Sequence, residues 1–161
     1  MHPVELAVFD FDGTLLKSPK SPDGNPLWWF HAHSLASITE APGFDPRWYL
    51  GAIAHARKAA ATPGVLTVVL TARPDHRGMR EQIGRLLSLA SLQFDQVVLK
   101  PVLFPGLDPA YKAHAIRVWL RKYPTIKRVS FYDDLDENHA AVKHVVEHSG
   151  RSFRGYKAPG L

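Results

Sequence analysis

Two aspartates, Asp10 and Asp12, close an apolar run that begins at Val4, and Gly13 and Thr14 follow at once. Side chains two apart on a strand lie on the same side, so both carboxylates can face one site just past the strand end. Gly13 lets the chain turn away there without a Cβ penalty. A carboxylate nucleophile beside a second acid is what phosphoryl transfer through an aspartyl-phosphate requires. The same residue types also make an ordinary Asp-rich turn after a buried strand.

Further residues along the chain could join such a site. Asp133 and Asp134 form a second acidic pair, with Asp136 and Glu137 close behind. Oxygen ligands at a strand end suit Mg²⁺, which keeps several waters and takes few carboxylates. Asp134 or Asp136 could equally cap the helix that follows. Arg73 and Arg77 come just after Thr71, where a loop enters a helix, so guanidinium forks and helix N–H groups could converge on an anion. Trp28 and Trp29 offer faces on which a base could stack, or simply plug their segment onto the core. His144 and His148 are four apart but share a polar side with Lys143 and Glu147, so they read as surface histidines.

The elements that must carry these residues alternate. Val4, Leu6, Ala7, Val8 and Phe9 are too apolar to alternate along a half-exposed strand, as suits a central parallel strand. A helix over 50–60 ends at Thr62-Pro63-Gly64, and a buried strand over 65–70 delivers Thr71 to its carboxyl end. Met79, Ile83, Leu86, Leu87 and Ala90 mark an amphipathic helix, and 96–99 form the next strand. Ile116, Trp119, Leu120 and Tyr123 mark another helix, followed by a strand over 127–132 and a helix to about His148. Ser152 to Tyr156 add a short edge strand. The alternation predicts an α/β fold with a central parallel sheet. Residues 17–47 are Pro- and Trp-rich and irregular. They are too few for a cap domain with its own core, so they read as a loop-like cover over an open site.

Composition narrows the classes. The 161 residues fit one domain and can bury a sizeable core. No apolar run approaches the ~20 residues a membrane helix needs, and no basic, signal-like leader precedes the first strand, so no membrane association is expected. Cysteine is absent, which rules out disulfides and thiolate metal sites and fits a cytoplasmic location. A net charge of +5 favours anionic partners such as phosphate esters or nucleic acid.

The string Asp10-Phe-Asp12-Gly-Thr14 resembles motif I of the haloacid dehalogenase (HAD) superfamily, hydrolases and phosphotransferases with an aspartate nucleophile. Thr71 resembles motif II, and Asp133-Asp134 resemble the acidic motif IV. Lys112, about 21 residues before Asp133, resembles the motif III lysine, with Lys100 as its competitor. The resemblance implies a three-layer α/β/α, Rossmann-like HAD fold with a minimal cap, hydrolysing phosphate monoesters. It implies that Asp10 attacks phosphorus, and that Asp12, kept protonated by its neighbours, is the acid and then the base. Thr71 and Lys112 would hold the phosphoryl oxygens. Mg²⁺ would sit on Asp10, the Asp12 backbone carbonyl and Asp134, with Asp133 close by.

A narrower likeness rests on the Trp-rich segment, Leu70-Thr-Ala-Arg73, Val98-Leu-Lys-Pro101, and Tyr132-Asp-Asp134 leading to His139. These resemble the HAD domain of Swiss Army Knife-type RNA-repair proteins, and the phosphatase half of phage polynucleotide kinases also carries a paired Asp-Asp. The turn reads Thr-Ala-Arg rather than the commoner Thr-Gly-Arg, and Leu135 stands where relatives often have arginine. The implied substrate is a phosphorylated RNA or DNA end, contacted by Thr71, Arg73, Arg77 and Trp28. A small-metabolite phosphatase is the alternative. A non-catalytic nucleic-acid-binding module is a third reading, but it predicts loss of Asp10, Asp12, Lys112 or the acidic pair, and all are present.

Overall fold

The structure is a computed structural model that describes residues 2–161. Five strands form one sheet: β1 (Glu5–Phe9), β2 (Val65–Pro74), β3 (Gln96–Lys100), β4 (Arg128–Asp133) and β5 (Ser152–Lys157). They lie in the order β3-β2-β1-β4-β5, and every neighbouring pair is parallel. Helices α1 (Leu50–Ala61), α2 (Arg77–Leu89), α3 (Asp108–Lys122) and α4 (Asp136–His148) separate the strands. This is the expected three-layer α/β/α arrangement.

β1 shows why its sequence is apolar on both faces. Ala7 and Phe9 belong to one core with Ile53 of α1 and Ile83 and Leu86 of α2. Leu6 and Val8 point to the other core, with Ile116 and Trp119 of α3 and Val142 and Val146 of α4. A strand with no alternation is therefore one that has a helical layer on each side.

The cover segment contains two short 3₁₀ turns, Trp28–Phe30 and Ala32–Leu35, in place of a cap domain. Leu35 and Ile38 are its buried anchors and, with Trp48 just after it, join the α1–α2 core. Trp48 Nε1 also donates to the Glu40 carbonyl, at 2.9 Å. Three local details depart from expectation. β2 runs on to Pro74, with an irregularity against β3 between Thr71 and Pro74, so Thr71 lies inside the strand. α4 is capped by neither Asp134 nor Asp136: Leu135 holds the N-cap position, and Asp136 opens the helix and pairs with Lys157 at 2.5 Å. The tail strand is a full six-residue edge paired along β4.

The strand order decides where a ligand can enter. β1 leads to β2 and β3 on one side, and the chain then crosses to β4 and β5 on the other. The reversal falls between β1 and β4, and a crevice opens there at the strands' carboxyl ends. Asp10 follows β1 and Asp133 ends β4, so both acidic pairs flank that crevice.

Candidate active site

A cavity of about 320 Å³ occupies the crevice, with Asp10, Asp12, Lys112, Asp134, Trp29 and Tyr49 in its wall. Its base is a cluster of charge. Lys112, in the second turn of α3, is 2% exposed and reaches Asp10 Oδ1 at 2.8 Å and Asp133 Oδ2 at 2.6 Å. Lys100 pairs instead with Asp108, at 2.9 Å, outside this cluster. Of the two competing lysines, the fold brings Lys112 to Asp10.

The three carboxylates here have different tasks. Asp133 is fully buried, and besides Lys112 it accepts from Leu135 N at 2.9 Å and from Asn138 Nδ2 at 3.1 Å. It orients the start of α4 and the lysine. Asp134 is half-buried and turned into the cavity. It closes directly on Gly13, where a Cβ would stand 2.2 Å from Asp134 Oδ2. Glycine is thus required twice at this position, for the contact and for its φ of +75°.

Ligand oxygens of Asp10, Asp133 and Asp134 all lie within 4.8 Å of one another. Burial pushes the Asp10 carboxyl up to about 8, and Lys112 offsets this while Asp133 and Asp12 add to it. Burial, then Asp133, also raises Asp134. Burial opposes the charge of Lys112, but Asp10 and Asp133 outweigh it and hold the ammonium above the usual lysine range. Three carboxylates facing one ammonium leave excess negative charge in a desolvated place. Beside them, Asn138 Oδ1 is buried without a hydrogen-bond partner. Hard oxygen donors with unneutralised charge fit a Mg²⁺ ion.

Asp12 has a separate setting. Arg73 is fully buried and grips its carboxylate with Nε at 2.9 and 3.0 Å and Nη2 at 2.7 Å. The Ser18 hydroxyl also donates to Asp12. Its closest polar neighbours are thus hydrogen-bond donors. The other end of the guanidinium donates to Ser34 Oγ at 2.8 Å and to the Trp29 carbonyl at 3.0 Å. Its carbon lies 5.0 Å from the Trp29 ring centroid. Arg73 therefore ties the cover segment to Asp12, and most of its N–H groups are engaged within the protein.

Other expected residues fall outside the cavity wall. Thr71 is fully buried beneath Ala72, and its hydroxyl accepts from Arg73 N at 3.1 Å. Arg77 points to solvent, its side chain 93% exposed, and pairs with Glu81 one turn on. Trp28 packs edge-on to His33 and donates to the Pro19 carbonyl, while its neighbour Trp29 lines the cavity. Of the residues at the cavity, Trp29 was one of the two stacking faces offered by the sequence, whereas Ser18, Tyr49 and Asn138 were not singled out for the site. Asn138 had a signal: it falls one turn into a helix that begins just after the acidic pair. Ser18 had none beyond its place in a Pro-punctuated loop.

A family model for HAD domain family 1 in Swiss Army Knife RNA repair proteins matches residues 10–157. An uncharacterized protein of Saccharomyces cerevisiae is 24% identical over 158 residues, covering 81% of this chain and 34% of its own length. Among solved structures, a chain of the Pnkp1/Rnl/Hen1 RNA repair complex superposes with a TM-score of 0.64 at 14% identity, over 98% of this chain and 44% of that one. The HAD domain of effector protein Lem4 from Legionella pneumophila gives 0.60 at 15% identity, over 96% of this chain and 85% of that one. The chain thus spans about a third of the yeast protein and under half of the repair-complex chain. These likenesses support the fold.

Proposed function

The chain belongs to HAD domain family 1 of Swiss Army Knife RNA repair proteins, and from that membership we propose that it is a Mg²⁺-dependent phosphatase acting on nucleic-acid end phosphates. The observation that carries the reading is the buried Asp10–Lys112–Asp133 cluster opening onto Asp134 and Asp12 in one cavity.

Asp10 attacks phosphorus, and the bond to the leaving oxygen breaks as the aspartyl-phosphate forms. Lys112 holds Asp10 in line and faces the negative charge of the transferring group. Asp12 gives a proton to the leaving oxygen and then takes one from the attacking water, so it ends the cycle as it began. Arg73 acts as a positioning residue, fixing the Asp12 carboxylate at the cavity edge. Asp10 and Asp134, with Asp133 behind them, would hold Mg²⁺. When bound, the ion would offset repulsion between these carboxylates and the phosphate.

The nucleic-acid end is favoured by three things: family membership, the basic balance of the chain, and an aromatic wall made by Trp29 and Tyr49. A terminal base could stack on that wall while its phosphate meets Asp10. The test is phosphate release from 3′- and 5′-phosphorylated oligonucleotides beside sugar phosphates and mononucleotides, with Mg²⁺ or EDTA. Oligonucleotide ends should give the highest kcat/KM, and Asp10→Asn should lower every rate by about three orders of magnitude or more while the protein stays folded. Phosphate release at the wild-type rate by folded Asp10→Asn protein would end the mechanism. The second reading, a small-metabolite phosphatase, draws on the modest cavity of about 320 Å³. It prevails if sugar phosphates outpace oligonucleotides.

A further inference from the structure

A second cavity, of about 410 Å³, lies between α3 and α4 towards their C-terminal ends, away from Asp10. Arg117, Arg121, Arg151, His144 and His148 line it, and no carboxylate does. Arg151 is used internally: it donates to the Ile126 carbonyl at 2.8 Å and the Leu120 carbonyl at 3.1 Å, closing the floor. Arg117 and Arg121 are exposed and enter no ion pair among the described residues. They stand one turn apart on α3, facing His144 and His148, which stand one turn apart on α4 with rings 5.8 Å apart.

Like charges at this spacing oppose each other by a few tenths of a kcal/mol per pair. A helix C-terminus favours a cation in its last turn, which accounts for Arg121 but not for Arg117 a turn earlier. The cluster is therefore a place where bound negative charge would relieve repulsion. Its position is informative too. Lys112 and Arg121 are about 14 Å apart along one helix, so the groove lies a few nucleotide lengths from the reaction centre on the same α3–α4 side of the sheet.

We propose that this groove binds the phosphodiester backbone of an oligonucleotide whose terminal phosphate occupies the Asp10 site, an assignment that rests on the phosphatase reading above. Arginine forks suit phosphate oxygens, and backbone contacts position a strand without reading its sequence.

The experiment follows a fluorescent oligonucleotide by anisotropy against salt, using wild-type protein and Arg117→Gln/Arg121→Gln, with His144→Asn/His148→Asn as a second variant. The arginine variant should bind about tenfold more weakly at low salt. Its plot of log affinity against log salt should be shallower by about 1.4, two contacts at about 0.7 each on a single strand. Hydrolysis of a small aryl phosphate should be unchanged, which also reports an intact fold. Unchanged oligonucleotide affinity and slope in both variants overturns the proposal. So does an equal loss of affinity for a mononucleotide or inorganic phosphate, which would make the groove a site for free anions. If the wild type releases phosphate from no substrate yet binds oligonucleotide through the groove, the phosphatase reading fails and the binding assignment stands.

Discussion

Asp10 and Asp12 stand two residues apart at the end of one strand, yet each is held in a different way. Asp10 sits in a buried cluster with more acids than bases, where Asp133, Asp134 and Lys112 surround it. Asp12, at the cavity edge, is matched one to one by the Arg73 fork. The deep cluster is short of positive charge and has a further cation to gain. The rim pair is matched, and Arg73 turns its Nη1 group to the cover segment. On the proposed mechanism, the group that would react and hold metal is left under tension, while the group that would stay aimed is braced.

The sharpest way to break that contrast is to remove the one base from the deep cluster. Lys112→Met should abolish turnover and cost about 3–5 kcal/mol of stability without added metal, since it strands buried carboxylates. Chemical denaturation measures the loss. A change below about 1 kcal/mol would mean that the cluster is not under the strain described.

The rim pair predicts a selective loss. Arg73→Lys keeps the charge but not the fork, so Asp12 should lose its aim. An alkyl phosphate, whose leaving oxygen needs a proton, should be hydrolysed about tenfold more slowly. An aryl phosphate, which leaves more readily, should be affected less. Equal losses for both substrates would show that Arg73 serves the fold and not the aim of Asp12.

Within the deep cluster the two neighbouring aspartates should separate. Asp134→Ala should raise the Mg²⁺ concentration for half activity by about tenfold, with little change in Tm, as expected for a ligand facing the cavity. Asp133→Ala should chiefly lower Tm, because it frees Lys112, Asn138 and the Leu135 N–H from their shared acceptor. The reverse pattern would exchange their roles.

The remaining prediction concerns pH. The Asp10 carboxyl rests near 8 in the folded protein against 3.8 when unperturbed. Between those values the folded state keeps a proton that the unfolded chain has released. Stability of the metal-free protein should therefore fall as pH rises from about 4 to about 8, and Mg²⁺ should flatten that fall. Melting curves across this range decide it, and a metal-free Tm that rises steadily with pH would contradict the environment given to Asp10.

Much of this was legible in the chain itself. Apolar runs without alternation marked β1 and β2 as central strands, because a strand covered on both faces has no polar side to show. Gly13 and the paired aspartates marked the ends where β1 and β4 stop. The helices were visible from Ile83 and Leu86, or Ile116 and Leu120, one turn apart. The acidic cluster and Lys112 could be named because each sits at an element boundary, where local turn chemistry limits the choices.

Tertiary structure decided what those residues face. The arginine after Thr71 turned inward to Asp12 because the cover segment folds back and supplies Ser34 and the Trp29 carbonyl as acceptors, contacts 39 and 44 residues away along the chain. The same path put Trp29 rather than Trp28 on the cavity wall, and left Arg77 in solvent. Asn138 reached Asp133 through the rotation of α4 about its axis, and Thr71 lost the cavity to Ala72 through the irregular end of β2. Local periodicity determines which side of an element is apolar, and the sequence by itself carries that. Which side chains meet at the end of the sheet depends on helix rotation and loop paths set by distant packing, and only the folded chain contains those.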